Sequence, residues 1–141
     1  MSRIDDTRPF LPVRIAVLTV SDTRSAADDR SGDTLVERLT GAGHKLAARL
    51  ILPDERPLIA DQLRRWCADP EVDVVISTGG TGLTGRDVTV EAHRDVYEKE
   101  IEAFATVFTM ISMDKIGTSA VQSRATGGVA LGTYLFALPG S

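Results

Sequence analysis

Three short apolar runs separated by amphipathic stretches constrain this chain more than any other feature. Residues 14–21 (RIAVLTVS) form an almost unbroken β-branched and aliphatic run. Such a run predicts a strand buried on both faces, as in a parallel sheet. Residues 45–52 are a second strand candidate, interrupted by Arg49, and residues 72–77 (VDVVIS) are a third. Between them, Leu35, Val36, Leu39 and Ala42 share one face of a first helix, which the Gly41-Ala42-Gly43 turn ends. Leu58, Ile59, Leu63, Trp66 and Cys67 form the stripe of a second helix, with Pro57 in its first turn and Asp69-Pro70 as its stop. Strand and helix alternate with short links. That alternation predicts right-handed β-α-β crossovers and an α/β sandwich of three layers, a mostly parallel sheet flanked by helices.

The rest of the chain extends this plan. Residues 90–113 read as helical in two pieces, with Ile101, Phe104, Ala105, Phe108 and Ile111 on an apolar face. The Phe104, Phe108 and Met110 group reads as core or subunit contact. Residues 119–124 read as a short helix that Gly127-Gly128 breaks, and residues 133–138 (TYLFAL) as a last buried strand. Residues 1–13 form a loose arm discouraged from regular structure by Pro9 and Pro12. Residues 14–141 form a single domain, as a chain of 141 residues supports one core rather than two. The sequence stops at Pro139-Gly140-Ser141, where a strand and turn normally lead onward, so its C-terminal end reads as truncated.

Charge and cysteine usage narrow the function. Sixteen Lys+Arg against twenty Asp+Glu give a net charge of −4, which argues against a nucleic-acid groove or an anionic membrane surface as the main partner. No run approaches ~18 apolar residues, and the first ten residues lack the apolar core of a signal peptide. Cys67 is the only cysteine, so no internal disulfide forms, and a cytoplasmic setting is expected. Cys67 itself reads as core rather than nucleophile, and His44 and His93 are not expected to share a metal.

The chemistry concentrates where strands end. In an open α/β sheet, ligands bind beyond the carboxyl ends of the strands. Residues 77–87 (STGGTGLTGRD) follow the third strand. Gly79, Gly80 and Gly82 allow positive φ and close approach to a ligand, and successive N–H groups in such turns make a nest for an anion. Thr78, Thr81 and Thr84 add hydroxyls, and Asp87 is a carboxylate suited to Mg²⁺ beside phosphate oxygens. The Gly-Lys-Ser/Thr ending of a Walker A loop is absent. Asp54 reads either as the N-cap of the second helix or as a second metal-holding carboxylate on the same rim. Ser31 reads either as the cap of the first helix or, with the Gly32 amide, as a wall facing an anion, beside Ser21 and Asp22. Ser123 and Arg124 could contact phosphate, while Lys115 and Arg86 read as solvated.

Thr78-Gly-Gly-Thr-Gly82 with Gly85-Arg-Asp-Val-Thr89 and Glu91-Ala92 resembles the signature of the MoaB/MogA family of molybdenum cofactor biosynthesis proteins. Residues 15–22 (IAVLTVSD), 29–32 (DRSG), 52–55 (LPDE), 116–119 (IGTS), 122–124 (QSR) and 136–141 (FALPGS) are similar to the same family, in its order, and the 116–124 segments look closest to the MoaB branch. Relatives often carry proline where Val90 stands, which removes no chemical group. The resemblance implies the molybdopterin-binding fold, assembled as homotrimers or homohexamers. It implies molybdopterin and ATP as substrates, with Mg²⁺, and transfer of AMP to the pterin phosphate with release of pyrophosphate. An already ionised phosphate nucleophile requires no general base. Carried over by position, Asp54 and Asp87 match the acids tied to metal and catalysis. Thr78, Gly79, Gly80, Thr81 and Gly82 match the phosphate-facing loop. Ser21, Asp22, Ser31 and Gly32 match the first loop, and Ser123 and Arg124 a segment near the pterin. The competing expectation is a non-catalytic molybdopterin carrier using the same pocket, and a weaker one is an oligomeric scaffold for other pathway proteins.

Overall fold

The computed structural model describes residues 7–140; residues 1–6 of the expected arm, and Ser141, lie outside the described residues. Six strands form one sheet: β1 (Arg14–Val20), β2 (Lys45–Leu52), β3 (Val74–Thr78), β4 (Lys99–Glu100), β5 (Thr126–Ala130) and β6 (Thr133–Leu138). Their order is β2-β1-β3-β6-β5-β4. The first four in that order are parallel, and β5 and β4 are added antiparallel. Four helices accompany them: α1 (Arg30–Gly41), α2 (Arg56–Ala68), α3 (Thr89–Val96) and α4 (Glu102–Ile116), the last followed by a 3-10 turn, Gly117–Gln122.

The unbroken apolar run of β1 has a simple origin. Successive strand residues point to opposite faces. Ile15 and Val17 pack with Leu35, Val36 and Leu39 of α1. Ala16, Leu18 and Val20 pack with Ile59, Leu63 and Trp66 of α2 and Ala92 of α3. Both faces are covered, so all of β1 beyond Arg14 is apolar except Thr19. Phe104 of α4 meets Phe136 of β6 at a centroid distance of 4.8 Å. Phe136 points away from its buried neighbour Leu135, which belongs to the α2/α3 side, so α4 shares the α1 face. This is the expected three-layer α/β sandwich. Cys67 is buried in the core, as expected.

Some local expectations are corrected. Gly127 and Gly128 do not break a helix; they lie inside β5, which pairs with β6 and β4. The reason is space. A Cβ on Gly128 would overlap the Tyr97 ring, and one on Gly127 would sit 2.9 Å from Phe136 Cδ1. These glycines let two aromatic rings lie flat on the strand. Asp54 does not cap α2: Glu55 holds the N-cap position, and no side chain makes a cap hydrogen bond there. Ser31 does not cap α1 either. Asp29 does, accepting from the Gly32 amide at 3.0 Å. Residues 119–124 give only the 3-10 turn, and the segment between α3 and α4 holds the two-residue strand β4. Of the Phe104, Phe108 and Met110 group, the two rings are half-buried, Phe104 against Phe136, and Met110 is exposed. Val107, Met110, Ile111, Met113 and Ile116 are all exposed along α4.

Among the described residues no helix is long and apolar enough to cross a membrane. Gly128→Ala should destabilise the fold by about 1–3 kcal/mol, because the Tyr97 ring must move. Urea unfolding followed by far-UV circular dichroism measures this, and an unchanged midpoint would contradict the flat-ring packing.

Candidate functional site

The parallel strands end together. Val20 pairs with Leu52, Thr19 with Thr78, and Thr78 with Leu138. The segments that follow β2, β1, β3 and β6 therefore emerge on one rim. Strand β1 lies between β2 and β3, so the chain reverses direction across the sheet there, where ligands of open α/β sheets bind. A cleft of about 330 Å³ opens at this point, between the segments after β1, β3 and β6.

The floor of the cleft is the loop after β3. Gly79 has φ +92° and Gly80 φ +67°, the left-handed region in which glycine is at ease. A Cβ on Gly79 would strike the Val20 carbonyl. The Gly79 amide donates to Leu138 O at 3.1 Å, tying the loop to β6. Thr78, Gly79, Gly80, Thr81 and Gly82 all line the cleft, as do Ser21, Ser31, Asp87 and Ser123. Sequence reasoning missed Arg24, which also lines it and donates to the Asp28 carbonyl at 2.9 Å. Nothing in its spacing marked it; only its place after β1 could have done so.

The acids gather around this loop. Asp22 Oδ1 accepts from the Asp54 amide at 2.9 Å, joining the loops after β1 and β2. Arg86, read as solvated, is exposed and also grips Asp22 Oδ2 at 2.6 Å, joining the loop after β3 to both. Its hydrogen bonds hold the Asp22 carboxyl below the usual range. Asp87 Oδ2 accepts from the Thr84 hydroxyl at 2.8 Å and the Thr84 amide at 3.0 Å. Thr84 thereby lowers the Asp87 proton affinity, against a smaller effect of burial. Asp87 lies 2.6 Å from where a Cβ on Gly82 would sit, so only glycine lets the carboxylate close onto the loop. Asp54 behaves in the opposite sense. Burial raises its pKa first, and repulsion from Asp22 and Asp87 adds to that, with Arg86 opposing. Its Oδ1 lies 2.9 Å from where a Cβ on Gly80 would sit. The structure thus brings Asp22, Asp54 and Asp87 to one rim.

Four sequence candidates do not line the cleft: Asp22 and Asp54 stand beside it on the rim, and Gly32 and Arg124 turn elsewhere. The Gly32 amide is taken by Asp29, and Gly32 is buried outside the cleft. Arg124 faces the loop rather than the cleft. It forms a two-pronged ion pair with Glu91, and donates to Gly82 O at 3.0 Å and Asp87 O at 3.1 Å. It braces the loop from behind. Asp29 braces the first loop in a similar way. Its buried carboxylate accepts from Thr19 Oγ1 at 2.8 Å and Arg49 at 3.0 Å. Burial raises its pKa, but these bonds and the Gly32 amide outweigh burial and leave it lowered.

Among the described residues no group of three or more His, Cys, Asp or Glu side chains is placed to hold a metal ion.

Comparison with known proteins agrees with this fold. Residues 16–141 match the family model described as "Probable molybdopterin binding domain". The chain is 46% identical over 132 residues to molybdenum cofactor biosynthesis protein B of Escherichia coli K12, covering 94% of this chain and 78% of that protein. A crystal structure of a molybdenum cofactor biosynthesis protein B superposes with a TM-score of 0.91 at 41% identity, covering 95% of this chain and 84% of that one. The tungsten cofactor synthesizing protein MoaB from Pyrococcus furiosus gives 0.81 at 33%, covering 92% and 83%. The chain belongs to the molybdopterin-binding domain family of molybdenum cofactor biosynthesis proteins, as its loop motifs imply.

The raised pKa of Asp54 has a consequence for stability. An acid whose folded pKa lies above its ordinary value, 3.8, penalises the fold once pH rises through that range. Asp54→Asn should therefore raise the unfolding temperature at pH 7, and the gain should vanish below about pH 3.8. Calorimetry across that pH range is the check; a gain that persists in acid would contradict the cause.

Proposed function

We propose that the cleft receives the phosphate of molybdopterin and that the chain adenylylates it with Mg-ATP. The observation that carries this reading is the glycine loop of residues 79–82, which lines the cleft together with Asp87 while Asp22 and Asp54 stand beside it. A pterin phosphate oxygen attacks the α-phosphorus of ATP. One P–O bond forms as the bond to the bridging oxygen breaks, and pyrophosphate leaves. The nucleophile is ionised near neutral pH, so no base is required. That fits a rim without histidine: the buried His93 is hydrogen-bonded with Ser77 and Tyr97 beneath the sheet end. Loop amides would stabilise charge growing on the phosphate oxygens. Asp54 and Asp87 would hold Mg²⁺, which supplies charge neutralisation at the leaving group. Arg24 adds a cation on the cleft wall. A cytoplasmic setting suits these substrates.

The alternative reading is a molybdopterin carrier without catalysis. It is favoured by Asp87, whose Oδ2 already serves Thr84. Incubation with molybdopterin, Mg²⁺ and ATP separates the two. Adenylylated pterin is expected, and pterin binding without product would favour the carrier. Asp87→Asn keeps an acceptor for Thr84 and removes the charge. It should lower turnover about 10–100-fold while pterin binding survives; unchanged turnover would remove Asp87 from the reaction.

We further propose that the apolar surface of α4 is covered by other copies in a homotrimer or homohexamer. Val107, Met110, Ile111, Met113 and Ile116 form a contiguous exposed patch of the kind that marks an interface. Sedimentation velocity should report a trimer or larger, and Met110→Glu with Ile111→Glu should return monomer.

A further inference from the structure

Thr89 is fully buried at the start of α3, and its hydroxyl has no hydrogen-bond partner. Such a group carries a desolvation cost with nothing to offset it. Its place is fixed: the Thr89 amide donates to Gly80 O at 3.0 Å. Its direction is equally informative. A Cβ on Gly80 would overlap Thr89 Oγ1, and would lie 2.9 Å from Asp54 Oδ1 and 3.2 Å from Val20 Cγ1. The hydroxyl and the carboxylate therefore face the same narrow space under Gly80, which Val20 closes. The Asp54 carboxylate has no side-chain hydrogen bond, only a backbone one from Asp22, and it stands against the charges of Asp22 and Asp87 with Arg86 opposing them. An unused donor and a carboxylate held only by the Asp22 backbone thus lie beside each other.

We infer that Thr89 is a positioning residue for Asp54, its hydroxyl engaging the carboxylate when that carboxylate takes up a divalent cation together with nucleotide phosphates. The inference rests on the adenylylation reading for its ligand, and on Gly80, Asp54 and Thr89 for its geometry. Thr89 touches no substrate; it acts through Asp54. A hydroxyl retained only for packing is better replaced by the isosteric valine. A hydroxyl retained for Asp54 is not.

The test compares Thr89→Val, Thr89→Ser and the natural protein. Mn²⁺ binding in the presence of ATP, read by electron paramagnetic resonance, should weaken about tenfold or more in Thr89→Val, the usual effect of losing a group that orients a metal-holding carboxylate. Thr89→Ser should bind as the natural protein does. The unfolding temperature of Thr89→Val should rise by about 3 °C, because an unpaired buried hydroxyl is gone. The loss of cation binding supports the inference, since replacing a merely structural threonine would raise stability and leave binding unchanged. Thr89→Val that binds Mn²⁺ like the natural protein overturns it. Should the valine variant fail to fold, Thr89→Ala must weaken Mn²⁺ binding in the same way, and normal binding there overturns the inference equally. Natural protein that binds Mn²⁺ but yields no adenylylated pterin removes the adenylylation reading alone, and the comparison of variants still decides the role of Thr89.

Discussion

Four parallel strands that stop in register are the constraint on which the site depends. Parallel pairing sends each connection back across a face of the sheet, so the carboxyl ends of β2, β1, β3 and β6 share one edge. Four polar segments converge there, and none of them has a core of its own. Each is secured by a bond to another. Asp22 holds the Asp54 amide, Arg86 holds Asp22, the Ser31 hydroxyl donates to the Gly140 carbonyl, and Arg124 holds Gly82 and Asp87. The strands decide where the loops meet, and these links decide the shape in which they meet.

Buried polar groups carry that second task. Asp29 has no exposed side-chain surface, yet it is satisfied by a threonine, an amide and an arginine from three elements. His93 is fully buried, and burial pushes its pKa down to about 3, so it is neutral at ordinary pH. In that state it bonds with Ser77 at 2.8 Å and Tyr97 at 3.2 Å, linking the end of β3 to α3. A neutral ring with both nitrogens matched costs little to bury, whereas a charged one would cost much. These groups contribute less to net stability than the aliphatic core does. They specify which of several compact arrangements the loops adopt.

The fold was legible where a residue's role depends on its near neighbours. Strand β1 and helix α2 were readable because their periods of 2 and 3.6 are local properties. The glycine loop was readable because positive φ at Gly79 and Gly80 is written into residue type. What failed depends on distant partners. Gly127 and Gly128 look like breakers until Tyr97, Phe104 and Phe136 are seen above them. Asp29 rather than Ser31 caps α1 because Arg49, twenty residues on, comes back to hold it. Arg49 looked like an interruption of β2 for the same reason. Arg124 could be placed near the site by its motif, but its turn toward Glu91 rests on a pair 33 residues apart.

The brace that Arg124 supplies bears on the kinetics of capture. Its guanidinium is occupied by Glu91 and by two loop carbonyls before any ligand arrives. The loop therefore surrenders little conformational entropy on association, and no closing movement of that loop has to precede binding. For an anion entering the cleft as proposed, encounter rather than rearrangement would set the on-rate, and discrimination among anions would fall to how soon each one leaves.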